Sequence, residues 1–204
     1  MSLPQYATFW QRLTAFMLDV FIVALPVFTI TLTLATPVFF NMDAIKNSPN
    51  KDFEIIYQLY KNGVFISLTA FAAVSFILAI FATSRWQATP GKRIVNIYLA
   101  SRNGEKLQFS TAFERFFSLP LFLLMIQIFE RRENYAALDE LKRSHTATAN
   151  LDFLQTHLNG PATKITGFIV MMVIMAWFLR IFFTPEKTAM HDTLFNTRVF
   201  KGKK

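Results

Sequence analysis

Arg12 and Asp19 are the first residues in this 204-residue chain whose types and spacing could do chemistry: a cation at the head of an apolar run and a carboxylate inside it. Between Leu13 and Phe40 no other charge occurs. A carboxylate in hydrocarbon costs about 2.5 to 3.5 kcal/mol on insertion scales, so Asp19 requires a partner or a water-filled cavity. At about 100° per residue the two charges fall on nearly one helical face, roughly 10 Å apart along the axis. Pro26 extends that stripe and frees the carbonyl of Ile22, which predicts a helix kink just beyond the acid. Two readings of Asp19 stand side by side. It is a titrating group able to exchange a proton or a small cation, or it is half of a salt bridge with Arg12, Arg115 or Arg180 that fixes helix packing.

The remaining candidates are each ambiguous. Arg12 and Arg180 lie near the ends of apolar runs, where snorkelling to the surface competes with a buried role. Glu114 reads as a helix cap and Arg115 as an inward-facing partner for Asp19. His191-Asp192 suits a proton relay, a metal pair or a hydrogen-bonded anchor of the tail, and without a third ligand at helical spacing no metal is expected. Gly91-Lys92-Arg93 lacks the rest of a phosphate-binding loop, so its cations read as lipid headgroup contacts. The chain has no cysteine, no metal-spaced histidine pair and no nucleophile elbow. No catalytic residue, cofactor or enzyme activity is expected.

The elements that must position these groups follow from hydropathy. Hydrophobic residues make up 53% of the chain and mean hydropathy is +0.34, which places it among integral membrane proteins. The net charge of +8 lies between and after apolar blocks, where it meets anionic lipid rather than nucleic acid. Spans are expected at 13–40, 64–83, 111–129 and 165–183. The first run is too long for a signal-peptide core and lacks a cationic start, so no cleavable leader is expected. Tyr6, Phe9 and Trp10 suit the headgroup zone. A short helix is expected at 52–61, and the small residues of 64–83 read as close packing rather than a substrate path.

After the second span, 94–101 is β-rich, Asn103-Gly104 is a tight-turn dipeptide, and 105–109 is expected to return as a second strand. Thr111 and Glu114 match a capping box at the start of the third helix. The polar stretch 130–164, with periodic Leu151, Leu154 and Leu158, reads as a helical insertion, and Thr184-Pro185-Glu186 as a helix start. The expected fold is an all-α membrane protein of one domain: a four-helix transmembrane bundle with a small cytoplasmic β-hairpin and a helical insertion between helices three and four.

With four crossings, the loops on the side of the termini hold twelve lysines and arginines against eight opposite, so both termini are expected in the cytoplasm. The count is the same if the third run fails to cross. Four crossings are preferred because they bring Asp19, Arg115, Arg180 and Asp192 to one membrane face.

Four stretches carry a resemblance over nearly the whole chain. They are the run from Phe9 through Arg12 to Asp19, Thr89-Pro90-Gly91-Lys92-Arg93-Ile94-Val95 with Asn103-Gly104, Phe113-Glu114-Arg115, and the run from Thr188 through His191-Asp192 to Val199. In order and spacing the chain resembles the RDD family of small polytopic membrane proteins, named for one arginine and two aspartates. Asn196 stands where the family usually has glycine, and 130–164 is longer than a minimal member needs. The resemblance implies a multi-pass membrane protein for which transport has been suggested, without giving a substrate, and it adds Asp192 to the charge cluster as a second acid.

Two functions are expected from these readings. One is transport of protons or small cations in a cell membrane, such as a bacterial inner membrane, along a path lined by Arg12, Asp19 and the Pro26 irregularity, with a homo-oligomer to complete it. The other is a non-catalytic membrane scaffold or subunit that docks a partner through 130–164 or the basic cytoplasmic face.

Overall fold

The computed structural model describes residues 5–49, 51–144 and 161–202. Helix α1 (Phe9–Asp19) starts at a capping box, with Thr8 Oγ1 accepting from Gln11 N–H while the Gln11 side chain accepts from Thr8 N–H. The backbone then widens into a π-turn over Val20–Ala24, where Leu25 N–H reaches back to Val20 O, before α2 (Leu25–Phe39). Pro26, which cannot donate, sits in the first turn of α2, so the irregularity expected at this proline falls just upstream, against Asp19.

The order continues with α3 (Met42–Asn47), α4 (Lys51–Ala82), α5 (Pro90–Ile94), β1 (Ile97–Ser101), α6 (Phe109–Ser144), α7 (Pro161–Phe183), α8 (Met190–Leu194) and β2 (Thr197–Lys201). Among the described residues, three helices are long and apolar enough to cross a membrane: Phe9–Val38, Lys61–Ala82 and Phe109–Ile126. The fourth expected run is helical as α7. The short helix expected at 52–61 is the first part of α4 rather than a separate element, since Gly63 does not break the helix. Helix α6 begins at Phe109 instead of at a Thr111 cap: Ala112 N–H reaches Gln108 O at 3.1 Å, and Phe109 packs edge-on against Phe76. The expected insertion 130–164 starts as a continuation of α6 to Ser144, while its periodic leucines at 151, 154 and 158 lie outside the described residues.

The expected hairpin has a different partner. β1 pairs antiparallel with the tail strand β2, with Leu99 opposite Val199 at the centre. The Asn-Gly turn forms, closed by Gly104 N–H to Ser101 O at 2.9 Å, but beyond it only Ser101 N–H to Glu105 O continues the pairing. Leu107 of the expected return strand is buried in the core without joining the sheet, and Val199 and Phe200 of the tail, buried to within a few per cent, take the place beside β1. Thr184-Pro185-Glu186 forms a turn, not a helix start: Thr184 Oγ1 accepts from Thr188 N–H at 2.8 Å, and Lys187, at φ 49°, leaves the helical region.

The chain divides into two compact units, Met1–Thr29 with Ala70–Leu121 and Val173–Lys204, and Ile30–Thr69 with Phe122–Met172. The core of the first is Ala7, Ala15, Ala79, Ala82, Ile97, Leu99, Leu107, Ala112 and Val199. Its buried alanines on α1, α4 and α6 let backbones approach closely. In the second, Gln58 binds Asn41 through both amide atoms, and Asn41 Oδ1 caps α3 by accepting from Ala44 N–H at 3.0 Å.

The first unit carries an internal repeat. α5 and α8, β1 and β2, and the starts of α1 and α6 all lie one hundred residues apart. So do the positive-φ residues Gln87 and Lys187, and Asn96 and Asn196. Gln87 N–H binds Ser84 O as Lys187 N–H binds Thr184 O, and Ser101 N–H binds Glu105 O as Lys201 N–H binds Gln5 O. Across the strand pair, Arg102 N–H meets Asn196 O and Gly202 N–H meets Asn96 O. The two halves of this unit therefore follow the same course through these elements and meet in a local two-fold relation at Leu99 and Val199.

Candidate functional site

Asp19 ends α1 beside α5, and Gly91 makes the approach possible. A Cβ there would fall inside the van der Waals contact of Ala15 O and lie 2.9 Å from Asp19 N. Thr89 is the N-cap of α5 and Pro90 its first residue, a favoured start that fixes the loop against α1. Both oxygens of the buried Asp19 are engaged: Oδ1 accepts from Gly91 N–H at 2.8 Å and Oδ2 from Thr89 Oγ1 at 2.5 Å. Lys92 Nζ lies 3.9 Å from Oδ2 and over the Phe116 ring. Burial pulls the Lys92 ammonium down to about 8, against the attraction of Asp19.

The second acid has different partners. Asp192, fully buried on α8, takes Arg115 Nη2 at 2.6 Å and Thr197 Oγ1 at 3.3 Å on Oδ1, and Arg12 Nη1 at 2.5 Å and Ala189 N–H at 3.1 Å on Oδ2. Burial alone would raise its carboxyl, but Arg115 and the other charges around it outweigh that and hold it well below the usual range. His191 Nε2 is 3.5 Å away. Burial, then Arg115, lowers His191 to about 3, so it is neutral at physiological pH. Arg198 donates to the carbonyls of Asp192 and Thr197 and pairs with Glu186, which also meets Arg102 at 3.2 Å. The hydrogen bond from Arg198, with both arginine charges adding to it, holds the Glu186 carboxyl below its ordinary value.

Of the expected cluster, the structure brings together Arg12, Arg115 and Asp192. Asp19 is bound separately, by α5 and not by Arg12, Arg115 or Arg180. Arg180 makes no ion pair with either acid among the described residues. The shared stripe of Arg12 and Asp19 is broken in function, because Arg12 turns to the tail. Thr89, Gly91 and Thr197 are the ligands that sequence reasoning missed. The Thr-Pro pair, a helix start in its own right, was the available signal for the first two.

Set on the repeat, the two sites are charge-swapped. In the first half a carboxylate from the membrane helix meets a short helix carrying Lys92; in the second, an arginine meets a short helix carrying Asp192. Arg12, Arg115 and Lys92 outnumber Asp19 and Asp192 by one positive charge, and Arg12 Nη2 is buried without an acceptor among the described residues.

Apolar helices that meet in a small sheet and are pinned by buried ion pairs define an integral membrane protein of the helical class. The RDD family profile matches residues 6–196, nearly the whole chain, and the chain belongs to that family. No curated protein and no solved structure matches it.

Proposed function

We propose that this chain is a four-crossing, non-catalytic membrane component with both termini in the cytoplasm, whose buried charges lock its fold rather than carry ions. The observation behind this reading is that both oxygens of Asp19 are taken by protein donors, Thr89 Oγ1 and Gly91 N–H, at hydrogen-bond distance. With one protein donor fixed on each oxygen, Asp19 is built as an anchor between α1 and α5 rather than presented to a cation in transit. The working surface is then the basic cytoplasmic face or the polar stretch 130–164, which docks a protein partner. Purified protein in liposomes is expected to move neither protons nor alkali cations faster than empty vesicles. A stoichiometric partner is expected to co-purify and to be lost when 130–164 is shortened. Cation flux abolished by Asp19→Asn in protein that still folds would overturn this reading.

One observation favours the transport reading. Lys92, lowered to about 8 and 3.9 Å from Asp19, can exchange a proton near physiological pH. Its mark would be proton flux that depends on Lys92 and is lost in Lys92→Met.

A further inference from the structure

A cleft of about 320 Å³ is lined by Gln5, Tyr6, Thr8, Lys187 and Lys201. Its charges are two ammonium groups, and among the described residues no carboxylate lines it. Glu186, next to Lys187 in sequence, is held by Arg198 and Arg102. Thr8 is the N-cap of the first membrane helix, Trp10 follows at 71% exposed, and Phe183 ends α7 at 84% exposed. Exposed aromatic rings at the ends of apolar helices mark the headgroup boundary, so the cleft opens at the depth where lipid phosphates lie.

The internal repeat shows what the backbone requires at these positions. Lys187 corresponds to Gln87, with φ of 49° and 47°, and Lys201 to Ser101, at matching ends of paired strands. In the first half, Gln87 is buried and Ser101 Oγ accepts from Glu105 N–H, so neither of these two positions needs a cation to build the same course. The lysines are a departure of the second half from its own template, and they converge on one cavity.

We propose that this cleft binds the phosphate of an anionic phospholipid headgroup, with Lys187 and Lys201 neutralising it and the Tyr6 hydroxyl donating to one of its oxygens. The group recognised is a phosphodiester, and its source is the bilayer. Two lysines acting near a surface give a preference of at least roughly tenfold for an acidic over a zwitterionic lipid.

The test is native mass spectrometry of the full chain released from nanodiscs of mixed phosphatidylglycerol and phosphatidylcholine. The wild type is expected to retain one phosphatidylglycerol. Lys187→Gln with Lys201→Ser, which installs the residues of the first half, is expected to weaken retention at least tenfold. Melting temperatures in pure phosphatidylcholine should match, showing that the variant folds; the single Lys187→Gln variant, at an exposed position, gives an intermediate loss. Lys106→Gln is expected to change nothing. Equal retention by wild type and double variant, or a loss as large in Lys106→Gln, would overturn the site. Displacement of the lipid by millimolar inorganic phosphate would overturn the bilayer as its source.

Discussion

Arg12 and Asp192 are separated by 180 residues in the chain and by 2.5 Å between Nη1 and Oδ2. The contact joins the first helix to the tail, and Arg115 completes the pair from α6. Because Asp192 is fully buried, removing its charge leaves two arginines facing each other in a site that excludes water. Asp192→Asn is expected to cost about 3 to 5 kcal/mol, read as a lowered midpoint in detergent unfolding. A midpoint equal to wild type would show that the pair does not hold the fold.

Gly91 supports a second prediction through backbone contact instead of charge. Gly91→Ala forces α5 away from Ala15 and Asp19, and is expected to cost at least about 1 to 3 kcal/mol. Gly167→Ala, where a Cβ meets nothing within 4 Å, serves as the control and should be neutral or slightly stabilising. Equal behaviour of the two variants would refute the close approach.

His191 gives a pH dependence whose sign is fixed by its environment. Its folded value, about 3, lies below its ordinary 6.5, so the unfolded chain binds more protons between those limits. Stability therefore falls as pH drops from about 6.5 toward about 3. Melting temperatures across this window should decline in the wild type and decline less in His191→Asn. Parallel curves would remove His191 as the cause.

The repeat predicts that the chain can be cut between its halves. Fragments 1–104 and 105–204, expressed together, should associate one to one through β1–β2 pairing and the Arg12–Asp192 contact. Failure of a tagged fragment to retain the other would argue that the two halves require covalent connection.

Much of this was legible in the sequence. Arg12 and Asp19 stand out because charge in or beside an apolar run must be matched, Asp192 enters through the family resemblance, and all three are matched. Helical periodicity gives a face but not the neighbour across from it, so the sequence points Asp19 to an arginine while the fold pairs it with Thr89 and Gly91. The hairpin erred for a related reason: local turn chemistry was right, but apolar burial favoured a strand from the far end of the chain. Asn196, where glycine is usual, does take the left-handed backbone, at φ 50°. The repeat stayed hidden because, Asn96 and Asn196 aside, matched positions such as Gln87 and Lys187 share backbone conformation rather than side-chain type.

The Arg12–Asp192 contact also sets an order of events during synthesis. The first helix leaves the ribosome with its arginine unmatched, and the partner follows 180 residues later. At roughly 5 to 20 residues per second that interval is on the order of ten to forty seconds. Through all of it the newborn helix must be sheltered by water, lipid headgroups or the insertion machinery, and a chain terminated before Asp192 never gains the clasp.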